Sequence, residues 1–310
     1  MSVVVLARGF QTTVQDLGRP GYAASGVSAS GAADPIALRV GNRLVGNAGT
    51  AAALEMTLVG CSLRFETDAV IALTGSEIDA QLDGAAVACW RALRVRAGGT
   101  LACGPIRGGA RSYLAARGGL EVAAVLGSAS THLATGLGGI AGRALRTGDR
   151  LALAALVAHE PAPDPIDPSD VPGYRRGAPL RVTEGPQASW FTADARIALH
   201  HTRWRVAEAC DRMGIRLEGA SLPLVEPREL VTEGVVLGSV QVATAGSPIV
   251  LFVEHQTTGG YPKIATVASV DAARLGQLRP RDVLSFEAVP FDGAVRLLRD
   301  QAAALAGLLS

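Results

Sequence analysis

Pro248-Ile249-Val250-Leu251-Phe252-Val253 runs directly into Glu254-His255-Gln256-Thr257-Thr258-Gly259-Gly260-Tyr261-Pro262-Lys263. The apolar run reads as a buried strand. The polar residues, the Gly-Gly pair and Tyr-Pro break it into a tight loop. Further on, Leu278-Arg279-Pro280-Arg281-Asp282-Val283-Leu284 opens another strand. The first half repeats this order: Ser112-Tyr113-Leu114-Ala115-Ala116-Arg117-Gly118-Gly119, then Leu145-Arg146-Thr147-Gly148-Asp149-Arg150-Leu151. An apolar strand, a Gly-Gly turn and Leu-Arg-x-x-Asp-x-Leu occur in each half, which hints at two related β domains.

The rest of the chain fits that reading. Ser2–Leu6, Leu63–Glu66, Ala69–Thr74, Ile78–Leu82, Leu93–Arg96, Ser112–Ala116 and Arg150–Ala154 are short strand-like runs. Such spacing suggests a barrel or sandwich rather than βαβ units. Strands resume at Leu180–Thr183, Arg203–Ala207, Val235–Val242 and Ile249–Glu254. Between the halves, Glu160 to Gly173 is dense in proline and reads as a stiff, extended linker. The expected organisation is a domain over 1–159, a linker over 160–178 and a domain over 179–310. A protease should cut the linker if it is exposed. One helix is well signalled: Asp34 is a good N-cap, Pro35 fits the first helical position, and Ile36, Val40 and Leu44 share a face. Gly46 can close it, and Gly41 within it marks close packing. Further helices are expected near Phe191–His200, Asp271–Gln277 and Ala294–Leu308, the last with Val295, Leu298, Ala302 and Leu305 on one face.

Composition narrows the function. Hydrophobic residues make up 48% of the 310, enough for a large core, and aromatics are only 4%, so the core is Val, Leu, Ile and Ala. A net charge of +1 with no basic run argues against nucleic acid or an anionic membrane as main partner. Cys61, Cys89, Cys103 and Cys210 are scattered without C-x-x-C spacing. They read as reduced thiols of a cytoplasmic protein, with no metal site. No signal peptide or membrane span is evident. Lys263 is the only lysine and is not in Gly-Lys-Ser/Thr, so no P-loop exists. The lysine of a biotin carrier, the Ser-Ser-Lys of an amidase and a G-x-S-x-G elbow are likewise missing. Gly136-Leu137-Gly138-Gly139-Ile140-Ala141 loosely matches a dinucleotide fingerprint, but it lies among short β runs and reads as a turn.

Three polar clusters remain. The Gln256 loop offers the amide of Gln256, the hydroxyls of Thr257 and Thr258, the open backbone of Gly259 and Gly260, Tyr261 and the ammonium of Lys263. Cys210-Asp211-Arg212-Met213-Gly214 can aim a guanidinium at a carboxylate or carbonyl oxygen. A long glycine-rich loop carries Gln15, Asp16, Arg19, Ser28, Ser30 and Asp34, which also suit turns and caps. His255 is the candidate acid or base. His200-His201 suit a helix end, and His132 and His159 receive no role.

Taken in order, these stretches resemble the biotin-dependent carboxyltransferase family also called allophanate hydrolase subunit 2. It includes the C subunit of bacterial 5-oxoprolinase and part of urea carboxylase. The carrying residues are Gln15-Asp16-Leu17-Gly18-Arg19-Pro20-Gly21, Gly26 to Asp34, Gly41-Asn42, Leu54-Glu55, Leu73-Thr74-Gly75, Asp211-Arg212-Met213-Gly214 and Gln256 to Lys263. Members often carry Asp-Arg before Gln-Thr-Thr-Gly-Gly; here Glu254-His255 stand there. The resemblance implies a mainly β fold of two cyclophilin-like β-barrel domains. It implies partners: a subunit 1-type protein (the B subunit of 5-oxoprolinase) and a LamB/YcsF-type A subunit. It implies a subunit inactive alone, in a complex that hydrolyses 5-oxo-L-proline to L-glutamate. This chain is expected to bind no cofactor, with ATP used by the complex. The alternative is a urea- or amide-directed carboxyltransferase half fed with carboxybiotin by a partner. A non-catalytic regulatory subunit is a further possibility. Arg212, Lys263 and His255 are the expected catalytic groups. Gln256, Thr257, Thr258, Gly259, Gly260, Tyr261, Asp211, Gln15, Asp16, Arg19, Ser28 and Asp34 are expected to bind substrate. The Gln256 loop and Asp211-Arg212 are expected to face one cleft, closed by the Gln15–Asp34 loop. Arg212→Ala or Lys263→Ala should then lower turnover with folding intact.

Overall fold

The computed structural model describes residues 2–154, 164–171, 177–243 and 245–309. The fold is mainly β and divides into two compact units. The first holds residues 1–19 and 30–171, and the second holds 20–29 and 172–308. The segment 20–29 thus groups with the second unit, where the Ser28 hydroxyl donates to the Val253 carbonyl at 3.3 Å.

The first unit is a curled sheet of nine strands, a half-barrel. Its order is Gln11–Gln15, Ala53–Thr57, Thr100–Ala116, Ser62–Phe65, Ser2–Ala7, Arg150–Ala152. Ala69–Leu82 also lies along Thr100–Ala116. Alternation places side chains as expected: Leu63 and Phe65 are buried while Arg64 between them is exposed. Val3, Met56, Leu63, Phe65, Ile71 and Leu101 are among its core residues. The separate runs expected at Ala69–Thr74 and Ile78–Leu82 are one strand of 14 residues, and Ser112–Ala116 is the end of a strand of 17. The pairing slips between Gly75 and Glu77 and again between Ile78 and Ala80. Bulges of that kind bend a strand without ending it, so Gly75 marks a bend within one strand.

Helix α1, Pro35–Leu44, forms on its signals. The Asp34 carboxylate accepts the Ala37 N–H at 3.0 Å. Asp34 is therefore a cap. Gly41 faces the strand: a Cβ there would stand 2.8 Å from the Thr74 hydroxyl, which donates to the Ala37 carbonyl at 2.7 Å. Gly41→Val is expected to destabilise the protein by about 1–3 kcal/mol through overpacking. Denaturant unfolding checks this; an unchanged midpoint would show that the helix can shift freely.

The second unit is an eight-stranded sheet. Its order is Val283–Leu284, Trp204–Val206, Gly214–Glu218, Pro248–Leu251, Ser239–Val242, Lys263–Val267, Leu180–Glu184, Phe286–Ala288. The first and last strands are separated in sequence only by Ser285. The sheet therefore returns to its own start and nearly closes into a barrel. The Ser285 carbonyl accepts the Leu180 N–H at 2.8 Å at the seam. Trp204, Phe191 and Val240 are among its fully buried residues. Helix α2, Ala193–His201, is capped by Thr192 and ends on His200 and His201.

Several expectations change here. The strand expected from Val235 begins only at Ser239, because Gly238 turns in the left-handed region with φ 84°. Regular pairing of Pro248–Leu251 stops before Glu254. Asp271–Gln277 is a 3-10 turn and a single helical turn, α3, Ala272–Leu275. Helix α4, Phe291–Leu309, buries only Leu305 of its expected face, and Leu298 is 41% exposed. Much of the expected linker, 160–163 and 172–176, lies outside the described residues, as does His159. Its described part is packed rather than extended: Ile166 and Val171 are buried, and the Ile166 N–H bonds the Trp90 carbonyl at 3.0 Å. The apolar residues among the prolines account for this. Among the described residues, no helix is long and apolar enough to cross a membrane.

Candidate functional site

Lys263 opens a strand at the end of the Gln256 loop, and only 5% of its side chain is exposed. A buried ammonium requires a counter-ion. Glu233 supplies it: Lys263 Nζ donates to Glu233 Oε1. Gln187 holds both. Its Nε2 donates to Glu233 Oε1 at 2.9 Å, its Oε1 accepts the Lys263 N–H at 3.1 Å, and its own N–H bonds the Lys263 carbonyl at 3.2 Å. The Lys263 ammonium, then the Gln187 amide, hold the Glu233 carboxyl below the usual carboxylate range. Glu233-Gly234 pairs with Thr258-Gly259 as a two-residue ribbon. The clamp and the Gly-Gly loop are thus one structure. Gln241 joins the loop from the barrel: its Nε2 donates to the Tyr261 carbonyl at 3.3 Å and its Oε1 accepts from Gln256 at 3.4 Å. A Cβ on Gly259 would stand 2.7 Å from Gln241 Nε2, so a side chain there would displace the Gln241 amide from the loop.

Arg212 meets the loop at its start. Its Nε donates to Glu254 Oε1, and the Glu254 N–H bonds the Arg212 carbonyl at 2.8 Å. Both side chains are under 5% exposed. Arg212 therefore anchors the strand end inside the protein, and this pairing accounts for Glu254 at that position. Asp211 folds its carboxylate onto the Met213 and Gly214 N–H groups, at 2.8 and 3.1 Å. Gln256, Thr258, Gly260 and Tyr261 are exposed, and Thr257 and Gly259 are half-buried.

His255 places Nδ1 2.6 Å from the Gln256 carbonyl. Burial lowers its pKa, only partly opposed by that contact. The folded protein therefore refuses a proton that the unfolded chain accepts near its ordinary pKa of about 6.5. Stability supplied by His255 is complete above that value and falls as pH drops through it. Melting temperature measured between pH 7.5 and 5 should fall less steeply for His255→Gln than for the parent. Parallel curves would contradict this.

The first-unit candidates form a different assembly. Asp16 accepts from the Ser128 and Ser130 hydroxyls, both at 2.6 Å, and from the Gly18 and Ala129 N–H groups, both at 2.7 Å. Arg19, 1% exposed, donates to the Ser130 carbonyl and to the Val125 carbonyl. Gln15 donates from Nε2 to the Thr131 carbonyl at 3.0 Å, and so does the Ser30 hydroxyl at 3.1 Å. These groups hold the 125–131 segment. Gln15, Asp16, Arg19 and Asp34 belong to the first unit, and Ser28 belongs to the second with the Gln256 loop. Behind Asp34, Glu55 Oε2 accepts from the Ala33 N–H at 2.8 Å and the Tyr113 hydroxyl at 2.7 Å. Burial first, then the Glu55 carboxylate, push the Tyr113 phenol well above its ordinary pKa.

Glu233, Gln187 and Gln241 carry no local sequence signal; each becomes visible only through the barrel pairing. Among the described residues, no group of three His, Cys, Asp or Glu is placed to hold a metal. Cys61 and Cys103 are buried, and burial pushes the Cys61 thiol up to about 12.

Comparison with known proteins matches this architecture. Residues 25–288 match the family model described as carboxyltransferase domain, subdomain A and B. The chain is 40% identical over 298 residues to the 5-oxoprolinase C subunit of Escherichia coli K12, covering 96% of this chain and 94% of that one. It is 37% identical to the 5-oxoprolinase C subunit of Haemophilus influenzae, covering 93% and 92%. The crystal structure of the K. lactis urea amidolyase superposes with a TM-score of 0.91 at 31% identity, over 99% of this chain but only 20% of that larger one. On the family match and these near full-length relatives, the chain belongs to the carboxyltransferase-domain family built from subdomains A and B.

Proposed function

We propose that this chain is the C subunit of an ATP-dependent 5-oxoprolinase complex, which opens the lactam of 5-oxo-L-proline to L-glutamate. The observation that carries this is identity: the chain is 40% identical to one 5-oxoprolinase C subunit, against 33% to a putative urea carboxylase and 30% to a urea amidolyase. An amide carbonyl is a poor electrophile, and charge growing on its oxygen needs oriented donors. Lys263 and the Gly259 and Gly260 N–H groups, which share one loop, are the donors of this reading. Gln256, Thr257 and Thr258 orient the substrate, and His255, neutral near pH 7, can accept a proton. Arg212 acts through the loop it anchors. ATP, bound in the assembled complex, supplies activation of the lactam oxygen; this chain itself binds no cofactor. Its partners are a B subunit of the subunit 1 type and a LamB/YcsF-type A subunit, in the cytoplasm.

A second reading has its own support. The K. lactis urea carboxylase structure superposes at a TM-score of 0.90 over 99% of this chain. On that reading the chain is a carboxyltransferase half that receives carboxybiotin from a partner. The two readings part in a simple assay. The isolated chain should release no phosphate from ATP in response to 5-oxoproline, and the three subunits together should. Robust release by the isolated chain would contradict the multi-subunit reading.

A further inference from the structure

The Lys263 clamp has a property that the donor role alone does not require. Lys263 Nζ is already occupied, by a carboxylate from the same chain. The lysine side chain is 5% exposed, while that of Glu233 is 41% exposed. The anion therefore stands between the cation and solvent. The element carrying it is slight: Glu233 and Gly234 pair with two residues only. Two-residue ribbons are marginal by themselves. The ribbon is pinned on one side only: Val235 is buried and its N–H bonds the Thr257 carbonyl at 3.1 Å, whereas on the other side Val231 is 88% exposed, so Glu233 can swing out about Val235. Gln187, which fixes the Lys263 backbone, belongs to the barrel side and stays when the ribbon lifts.

Resting on the site assigned above, we propose that Glu233 is the resident occupant of an anion subsite whose cation is Lys263, so that the site takes an amide substrate bearing its own carboxylate and rejects neutral amides. The reason is charge. Removing Glu233 from a buried ammonium leaves an uncompensated charge unless another anion arrives. A carboxylate ligand replaces one ion pair by another, and the Gln187 Nε2 that faced Glu233 is left ready to donate to the newcomer. A neutral amide offers no such exchange. 5-Oxoproline carries the required carboxylate; urea does not. Because the same ribbon holds Thr258-Gly259, lifting Glu233 also frees the Gly-Gly loop to close over the ligand.

The sequence provides a direct test, since Lys263 is its only lysine. The 310-residue chain made with lysine labelled at Cε and Nζ gives a single side-chain NMR signal, without assignment. Titration with 5-oxoproline should move that signal saturably, whereas its neutral carboxamide and urea should leave it in place. In Glu233→Gln the half-saturating concentration of 5-oxoproline should fall at least ten-fold, because no internal carboxylate competes. Glu233→Asp, which retains the charge on a shorter arm, should lie between. A signal unmoved by 5-oxoproline in both parent and Glu233→Gln overturns the proposal. So does an equal response to urea, or an unchanged half-saturation in Glu233→Gln. The readout is occupancy of one nitrogen and needs neither partners nor turnover. Its failure would therefore leave the assay of the assembled complex standing, and failure of that assay would leave this result standing.

Discussion

Arg212→Ala is expected to destabilise the second unit by about 3–5 kcal/mol, because it strands Glu254 as a buried charge without its partner. Glu254 is 3% exposed, so water cannot take the place of the guanidinium. The melting temperature should fall on the order of 10 °C. This revises the sequence-based expectation that the variant folds normally and loses only turnover. Replacing both partners, Arg212→Met with Glu254→Met, should recover part of the loss, since the double variant leaves neither charge behind. A single variant as stable as the parent would show that the pair is not the anchor described here.

Lys263→Ala should behave in the opposite way. Its partner Glu233 reaches solvent, so the abandoned carboxylate can hydrate and the fold should hold. Turnover by the assembled complex should fall by about two to three orders of magnitude, the usual cost of losing one oriented donor, about 3–4 kcal/mol. Thr57→Ala, on a strand of the first unit and outside every polar cluster, should leave turnover unchanged. The two variants separate the roles: Arg212 shows in melting, Lys263 in rate. Near-normal turnover for Lys263→Ala would make the loop a docking surface, as the regulatory reading holds.

The sequence carried the local features well. Asp34 and Pro35 start α1 because a cap and a preset φ need no distant partner. Leu63-Arg64-Phe65 reads as a half-buried strand because alternation is local. The long strands Ala69–Leu82 and Thr100–Ala116 were not legible as single elements. Gly75 marks a bulge there, and a bulge differs from a strand end only through its pairing partner. The α4 face failed for a related reason: periodicity gives a stripe, but the fold decides how much of it is covered. The site shows the same division. Gln256 to Lys263 stood out by composition. Glu233 lies 30 residues from Lys263, Gln187 76, and Glu254 42 from Arg212, so they meet only once the strands of the second unit pair. Asp16 and Arg19 stood out too, but what they hold, the 125–131 segment, is over a hundred residues away.

Product counting in the reconstituted complex decides which reaction this chain serves. The chain is combined with its LamB/YcsF-type and subunit 1-type partners, ATP and isotope-labelled 5-oxoproline, and labelled glutamate is measured against phosphate by mass spectrometry. Assignment as the 5-oxoprolinase C subunit requires glutamate formed in step with phosphate, lost when this chain is omitted, and no ATP consumption with urea in place of 5-oxoproline. Undiminished glutamate without this chain, or urea-dependent ATP consumption with no response to 5-oxoproline, would contradict it.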